Sequence, residues 1–334
     1  MYKKMYRVIP GILLLLMLAA VCGCHNAQSG VRISETRLLL DTYCTITAYG
    51  DVDEGLLNEA FELIEEYEAL FSITASGSDV WRINHAEGEP VDVDARTMEV
   101  IRTGMEFGRL TGGLLDITIG RLSRLWGFGG EPSVPSFADL EELIKTVDYT
   151  QIRITEGTVQ LVNPDAWIDL GAIAKGYIGD AAAAFLIEQG VSGALIDLGG
   201  DIVAVGKRHD GTSWRIAVRE PFGEAGALLG VIEVVDAAVV SSGTYERGFE
   251  ADGLYYHHIL NPNTGFPANS DIISATVVTE SAIIGEALST AAVLMGRDKA
   301  EELFEQTAGF IGAVLVTDAG ELIILGDVVF SVIE

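Results

Sequence analysis

The sequence is short of positive charge. Its 21 lysines and arginines stand against 49 aspartates and glutamates, a formal net charge of −28 over 334 residues. A surface of that sign repels nucleic-acid phosphates, which excludes nucleic-acid binding. It also means that a phosphate-bearing ligand needs local help, from a metal ion or a helix N-terminus. Cysteine is scarce as well, with Cys22, Cys24 and Cys44 alone. H-x-x-x-H pairs, C-x-x-C and G-x-S-x-G do not occur, so zinc and serine-hydrolase chemistry have no support. No Pro/Ser-rich linker or charge block follows residue 35, which favours one compact catalytic unit.

Three of the few bases, Lys3, Lys4 and Arg7, precede the apolar run "VIPGILLLLMLAA". This pattern reads as a secretory leader over residues 1–23, to be set aside before the fold is considered. Without those three bases the net charge falls to −31. The ending "VCGC" resembles a bacterial lipobox with Cys24 as the acylated residue. The polar "HNAQSG" that follows suits a tether, residues 24–36, ahead of a domain spanning 37–334. An ordinary leader or an uncleaved anchor is the alternative. With Cys22 removed and Cys24 acylated, Cys44 has no partner, so no internal disulfide is expected. Acylation would place the protein at the extracytoplasmic face of the cell membrane.

Along the chain, "RLLLDTYCTITAYG" has the density of β-branched and aromatic residues of a strand. "EGLLNEAFELIEEYEALFS" and "DARTMEVIRTGMEFGRLTGG" have helical spacing, the second with Asp94 as N-cap. "FADLEELIKTV" reads as a short helix and "QIRITEGTVQLV" as a hairpin turning at Glu156-Gly157. "AWIDL" to "ALIDLGG" reads as strand, helix, strand. "WRIAV", "VIEVVDAAVVSS", "YYHHIL" and "ISATVV" read as strands. Two helices ("AIIGEALSTAAVLM", "RDKAEELFEQT") and two strands ("GAVLVT", "LIILGD") close the chain. Helices and strands mix without strict βα alternation, which argues for an α+β fold. The repeat of I-D-L-G at Ile168–Gly171 and Ile196–Gly199 is weak evidence for an internal duplication.

Four constellations could carry chemistry. "IDLGAIAKGYIGD" fits neither a Walker A loop nor G-x-G-x-x-G. It reads as a strand ending at Asp169-Leu170, a turn at Gly171 and a helix from about Ala172. Lys175 then sits in the first helical turn, where the helix dipole disfavours a cation by ~0.3–1 kcal/mol. A solvated lysine or one facing a docked anion are both open readings. In "GEALST", Glu286 and Thr290 lie one helical turn apart and present oxygen on one face. Such oxygens suit Mg²⁺, which keeps waters and shares itself with a substrate phosphate. A surface glutamate and a back-bonded threonine are the plain alternative. In "YYHHILNPNTGFP", one of His257 and His258 can face a site, and a neutral imidazole is a general base near neutral pH. A core histidine is the alternative. "GGLLDITIGRLSRLWGFGG" reads as a loop over a flat ligand or an ordinary loop with buried aromatics.

Together these segments resemble the ApbE family of FAD:protein FMN transferases, from about Leu38 to Gly326. Its elements occur in family order: "LDTYCTI", "FSITASGSDVWRIN", "GLLDITIGRLSRLWGFG", "WIDLGAIAKGYIGD", "ALIDLGGDIVAVG", "SSGTYERGF", "YYHHILNPNTGFP" and "GEALSTAAVLMG". The resemblance implies a T-fold-related α+β unit with mixed and antiparallel sheets and packed helices. It implies Mg²⁺-dependent cleavage of FAD, transfer of FMN to a threonine or serine hydroxyl, and release of AMP. The acceptor would carry a D-x-x-[ST]-G-A-T-like motif. FAD pyrophosphatase activity and a non-catalytic lipid-anchored FAD-binding protein are the alternatives. By family position, Leu40, Thr74, Leu114, Leu115, Asp116, Asp169, Lys175 and Ile259 are expected at FAD. The Ala172 carbonyl, Glu286 and Thr290 are expected at the metal, and His258 as base for the acceptor hydroxyl. The chain departs from the family at several positions. Glu286 replaces the aspartate of "ADALST", and Thr74 stands where many members stack a tyrosine on the flavin. Leu40 replaces a common methionine and Arg121 a common proline.

Overall fold

The computed structural model describes residues 31–50, 52–224 and 226–333. The expected leader, Cys24 and the start of the expected tether lie outside the described residues. Strand β1 (Val31–Leu39) begins ahead of the boundary expected at residue 37. It turns through Leu40 and Asp41, both at φ 56°, into β2 (Thr42–Gly50). Two successive left-handed residues make the tight hairpin turn whose twist matches its strands. The one strand expected over "RLLLDTYCTITAYG" is therefore a hairpin.

Helix α1 (Glu54–Phe71) is capped by Asp53, whose carboxylate accepts from Leu56 N–H, and buries Leu57, Ala60, Phe61, Ile64, Tyr67 and Phe71 on one face. A helix not anticipated from sequence, α2 (Asp79–Asn84), starts at the Ser78 cap; six residues are too few to show a period. Strand β3 (Val91–Asp92) leads to α3 (Ala95–Leu110), capped by Asp94 as expected. Part of the glycine-rich stretch read as a loop forms α4 (Gly120–Trp126). Helix α5 (Phe137–Ile144), a 3₁₀ turn (Tyr149–Gln151) and the hairpin β4 (Ile152–Thr155) and β5 (Thr158–Leu161) follow. "AWIDL" is not a strand. It makes one parallel bridge, Trp167 to Ile119, before α6 (Ala174–Glu188), which starts two residues later than expected.

The rest is mostly sheet: β6 (Gly193–Leu198), β7 (Ile202–Gly206), β8 (Trp214–Arg219), β9 (Leu228–Val234), β10 (Ala237–Gly243), β11 (Gly248–Ala251), β12 (Leu254–His257) and β13 (Ile272–Thr279). "VIEVVDAAVVSS" is split between β9 and β10 by Asp236, at φ 47°. Helices α7 (Ala282–Met295) and α8 (Arg297–Gln306) precede β14 (Phe310–Thr317), β15 (Leu322–Gly326) and β16 (Val329–Val332). The two I-D-L-G copies fold differently, one irregular and the other ending β6 with Gly199 in the turn beyond it, so they do not mark a repeated structural unit.

An eight-stranded antiparallel sheet, β1-β2-β6-β7-β10-β13-β14-β15, organises the α+β unit. Its central strands are covered on both faces, so their side chains alternate between two cores. Val240, Ala275, Val277 and Leu315 join the core under α1, α6 and α7. Their neighbours Val239, Val278 and Val314 join Trp214, Ile216 and Ile232 beneath the small sheet β16-β9-β8. This explains the unbroken apolar runs of β10, β13 and β14. A third cluster gathers Leu122, Trp126, Leu140 and Leu260, with Trp126 Nε1–H donating to the Gly265 carbonyl at 2.7 Å. That bond ties α4 to the "NPNTG" turn. Among the described residues no helix is long and apolar enough to cross a membrane.

Candidate active site

The start of α6 meets the start of α7 closely. A Cβ added to Gly176 would sit 2.4 Å from the Ala282 carbonyl oxygen, so only glycine allows this approach. Asp180, on α6, caps α7 from the side. Its carboxylate accepts from Ser281 Oγ at 2.6 Å and from the N–H groups of Ala282 and Ile283 at 2.7 and 3.1 Å. The contact brings Lys175 and Glu286 together: Lys175 Nζ lies 3.0 Å from Glu286 Oε1 and also pairs with Asp201.

Glu286 is 3 % exposed, and burial pushes its carboxyl pKa upward against the pull of Lys175. Its Oε2 accepts from Gly176 N–H at 2.7 Å, while Oε1 has no hydrogen-bond donor despite the nearby ammonium. Gly176 N–H is the group that would reach back to the Ala172 carbonyl if the helix ran on in that direction. Engaged by Glu286, it leaves the Ala172 carbonyl without a donor among the described residues. Burial works to lower the Lys175 pKa, but Asp201 and Glu286 outweigh it and raise it, so the ammonium stays charged. The Lys175 side chain keeps 28 % exposure, a face open to a ligand. Thr290 follows Glu286 by one turn and meets Ser242 Oγ at 3.2 Å.

A carboxylate oxygen held only by an ammonium, an open carbonyl and a hydroxyl offer hard oxygen donors, and two carboxylates share that one ammonium. This suits Mg²⁺ completed by water and substrate phosphate. Among the described residues no cluster of three or more His, Cys, Asp or Glu side chains offers an alternative metal cage.

The histidine pair divides cleanly. His257 ends β12, buried, with Nε2 on the Ala268 carbonyl at 3.0 Å and Nδ1 unpartnered. His258 lies past the strand end and is half-buried. Its backbone N–H donates to the Arg247 carbonyl at 3.1 Å and its Nδ1 lies 3.2 Å from the same oxygen. A carbonyl only accepts, so Nδ1 carries the proton and Nε2 keeps its lone pair. Burial first, then the Arg247 charge, pushes the His258 pKa down to about 4, with Lys175 adding to the effect. The imidazole is a neutral acceptor at physiological pH.

The remaining candidates form two groups. Asp169 N–H donates to the Ile117 carbonyl at 2.7 Å, so the 117–120 and 167–169 segments run side by side, directly after the 114–116 loop. Asp169 Oδ1 accepts from Gly171 N–H at 2.9 Å, tightening the turn into α6. Asp116 is fully engaged within the protein: Oδ1 accepts from Thr118 N–H and Oγ1, and Oδ2 from Tyr149 N–H at 2.9 Å. It shapes the loop, with Leu115 buried and Leu114 half-buried beside it. The buried Ile259 carbonyl accepts from Ala268 N–H at 2.8 Å. Leu40 N–H donates to Glu68 Oε1 at 3.0 Å, which fixes the β1–β2 turn to α1. Thr74 stands apart on an exposed loop, its polar contacts confined to Ser72. Arg121, at the common proline position, lies over the Trp167 ring and 3.5 Å from Asp165.

Sequence reasoning missed Asp201 and Asn84. Asp201 follows two glycines at the end of β6, a turn signal inside a segment already singled out. Asn84 grips the backbone of Ile168, accepting from its N–H at 2.7 Å and donating to its carbonyl at 2.8 Å. No local signal marks that role, since its partner is 84 residues away.

The profile of the ApbE family matches residues 40–315. A FAD:protein FMN transferase of Klebsiella pneumoniae is 36% identical over 277 residues, 81% of this chain and 85% of the relative. One of Treponema pallidum is 30% identical, covering 88% of each chain. The crystal structure of the ApbE protein of Thermotoga maritima superposes with a TM-score of 0.82 at 31% identity, over 88% of this chain and 97% of that one. Flavin transferase ApbE from Vibrio cholerae gives 0.81 at 28% identity, over 89% and 98%. With the profile matching residues 40–315 of 334 and a relative 36% identical over 81% of the sequence, the chain belongs to the ApbE family.

Proposed function

We propose that this chain is a FAD:protein FMN transferase, moving FMN from FAD onto a threonine or serine hydroxyl of an acceptor protein and releasing AMP. The observation that carries the reading is the Lys175 ammonium, partly open, between Asp201 and Glu286 and a few residues from the open Ala172 carbonyl. On a chain of net charge −28, this is where a pyrophosphate finds compensation. The curated relatives carry the same activity in their names.

In the reaction, the acceptor oxygen bonds to the FMN phosphorus, the pyrophosphate P–O–P bond breaks, and AMP leaves with its own phosphate. His258 Nε2 takes the hydroxyl proton, and the Arg247 carbonyl holds the ring in the tautomer that can. Lys175 offsets charge on the pyrophosphate, and the Asp169 turn and the 114–116 loop frame the flavin side. The Ala172 carbonyl, Glu286 and Thr290 would hold Mg²⁺, which when bound supplies Lewis-acid neutralisation of phosphate charge. The "VCGC" ending supports acylation at Cys24 and a place at the extracytoplasmic face of the membrane.

The test is incubation with FAD, Mg²⁺ and an acceptor carrying a D-x-x-[ST]-G-A-T-like motif. A flavin-fluorescent acceptor band in a denaturing gel is expected. Free FMN and AMP with an unlabelled acceptor would make the protein a pyrophosphatase, and unchanged FAD a binding protein.

A further inference from the structure

The reaction above assigns Asp201 no step of its own, yet it is among the most buried acids of the site, with a side chain 5 % exposed. Lys175 is its one ion-pair partner among the described residues. The turn that delivers it is sterically committed. Gly199 and Gly200 have φ of 71° and 100°, and a Cβ on Gly199 would sit 2.3 Å from Thr42 Oγ1. A buried carboxylate with a single cationic partner is costly to keep, so its retention calls for a reason beyond stability.

The charges supply one. Lys175 contacts both Asp201 and Glu286, so an ammonium and a divalent cation compete for Glu286. If Asp201 were neutral, Glu286 would be the one carboxylate left within ion-pair distance of the ammonium among the described residues, and an arriving metal ion would have to displace the ammonium into a largely buried space. With Asp201 charged, the ammonium has somewhere to stay. We propose that Asp201 is a positioning residue: it holds Lys175 off Glu286 when the metal binds, and so keeps the ammonium beside the pyrophosphate. This rests on the reading of Glu286 as a metal ligand.

The experiment titrates Mn²⁺, a paramagnetic substitute for Mg²⁺, into the detergent-solubilised full chain with saturating FAD and no acceptor, and reads free Mn²⁺ by electron paramagnetic resonance. Asp201→Asn should weaken Mn²⁺ binding about tenfold, within the usual range of coupling between linked sites. Asp201→Glu should restore most of it. Unchanged Mn²⁺ binding in Asp201→Asn overturns the proposal. Lys175→Met, which removes the competitor, should bind Mn²⁺ more tightly than wild type. Unchanged binding there also overturns the proposal, and this arm holds even if Asp201→Asn fails to fold. Glu286→Gln separates the two readings. If it keeps Mn²⁺ binding, the metal assignment falls and the proposal with it. If it loses Mn²⁺ while Asp201→Asn does not, the proposal alone falls.

Discussion

The backbone N–H of Gly176 donates to Glu286 Oε2 at 2.7 Å, across 110 residues of sequence. The first turn of α6 thus anchors the carboxylate assigned to the metal, and the glycine that provides the N–H is also the one that lets α6 touch α7.

Gly176→Ala should therefore damage both functions at once. Its Cβ meets Ala282 backbone atoms at 2.4 and 2.5 Å, which cannot swing aside like a flexible side chain. Overpacking of this kind costs about 1–3 kcal/mol, to be read by urea unfolding. Metal affinity should fall as well, because separating the helices lengthens the Gly176–Glu286 bond. A variant as stable as wild type would show that the helices can part freely.

His258→Ala should bind FAD with near-native affinity and lose transfer, falling by about 10²–10⁴-fold, the range for a general base. Flavin fluorescence titration and single-turnover labelling separate the two. A fully active variant would remove the role of base.

The pH dependence follows from the lowered pKa of His258. Its folded value, about 4, lies below the 6.5 of an ordinary histidine, so Nε2 remains free well into acid. The acid limb of kcat/KM should fall below pH 6, and a midpoint at 6.5 would contradict the burial. The same shift means that the folded state binds fewer protons than the unfolded chain between these values. Stability from this group is complete above pH 6.5 and declines as pH falls towards 4. Wild type should lose more Tm between pH 7 and pH 5 than His258→Ala.

Asn84→Ala should destabilise without touching any ligand. It strips both the N–H and the carbonyl of buried Ile168 of their partners. Each orphaned group costs about 1–3 kcal/mol. Ile168 precedes Asp169, so KM for FAD should rise more than kcat falls. Chemical denaturation and steady-state kinetics check the two effects.

Chelation should abolish turnover, and excess Mg²⁺ should restore it. Full activity in EDTA would reject the metal set. The extra methylene of Glu286 makes the match to Mg²⁺ worth testing against the larger Mn²⁺ in the same assay.

Much of this was legible in the sequence. Helices with a strong apolar period and a capping residue, such as α3 after Asp94, announce themselves locally. The "GEALST" helix has the bounds its apolar spacing announces, Ala282–Met295. What was not legible depends on distance. The Leu40-Asp41 turn uses residues that give no hairpin signal, since neither is glycine or asparagine. Helix α4 was hidden by the glycines around it. The pairing of Asp201 with Lys175 and the grip of Asn84 on Ile168 exist only once distant segments meet.

The junction of α6 and α7 also bears on how this protein can be recombined. Gly176 and Asp180 on one helix fit the Ala282–Glu286 turn of the other, through a steric gap, a three-bond cap and one carboxylate contact. A chimera of two family members with a crossover between residues 190 and 270 would inherit these halves from different parents. Such chimeras should fold poorly unless both segments are exchanged together, so the two helix starts behave as one heritable block despite the distance between them.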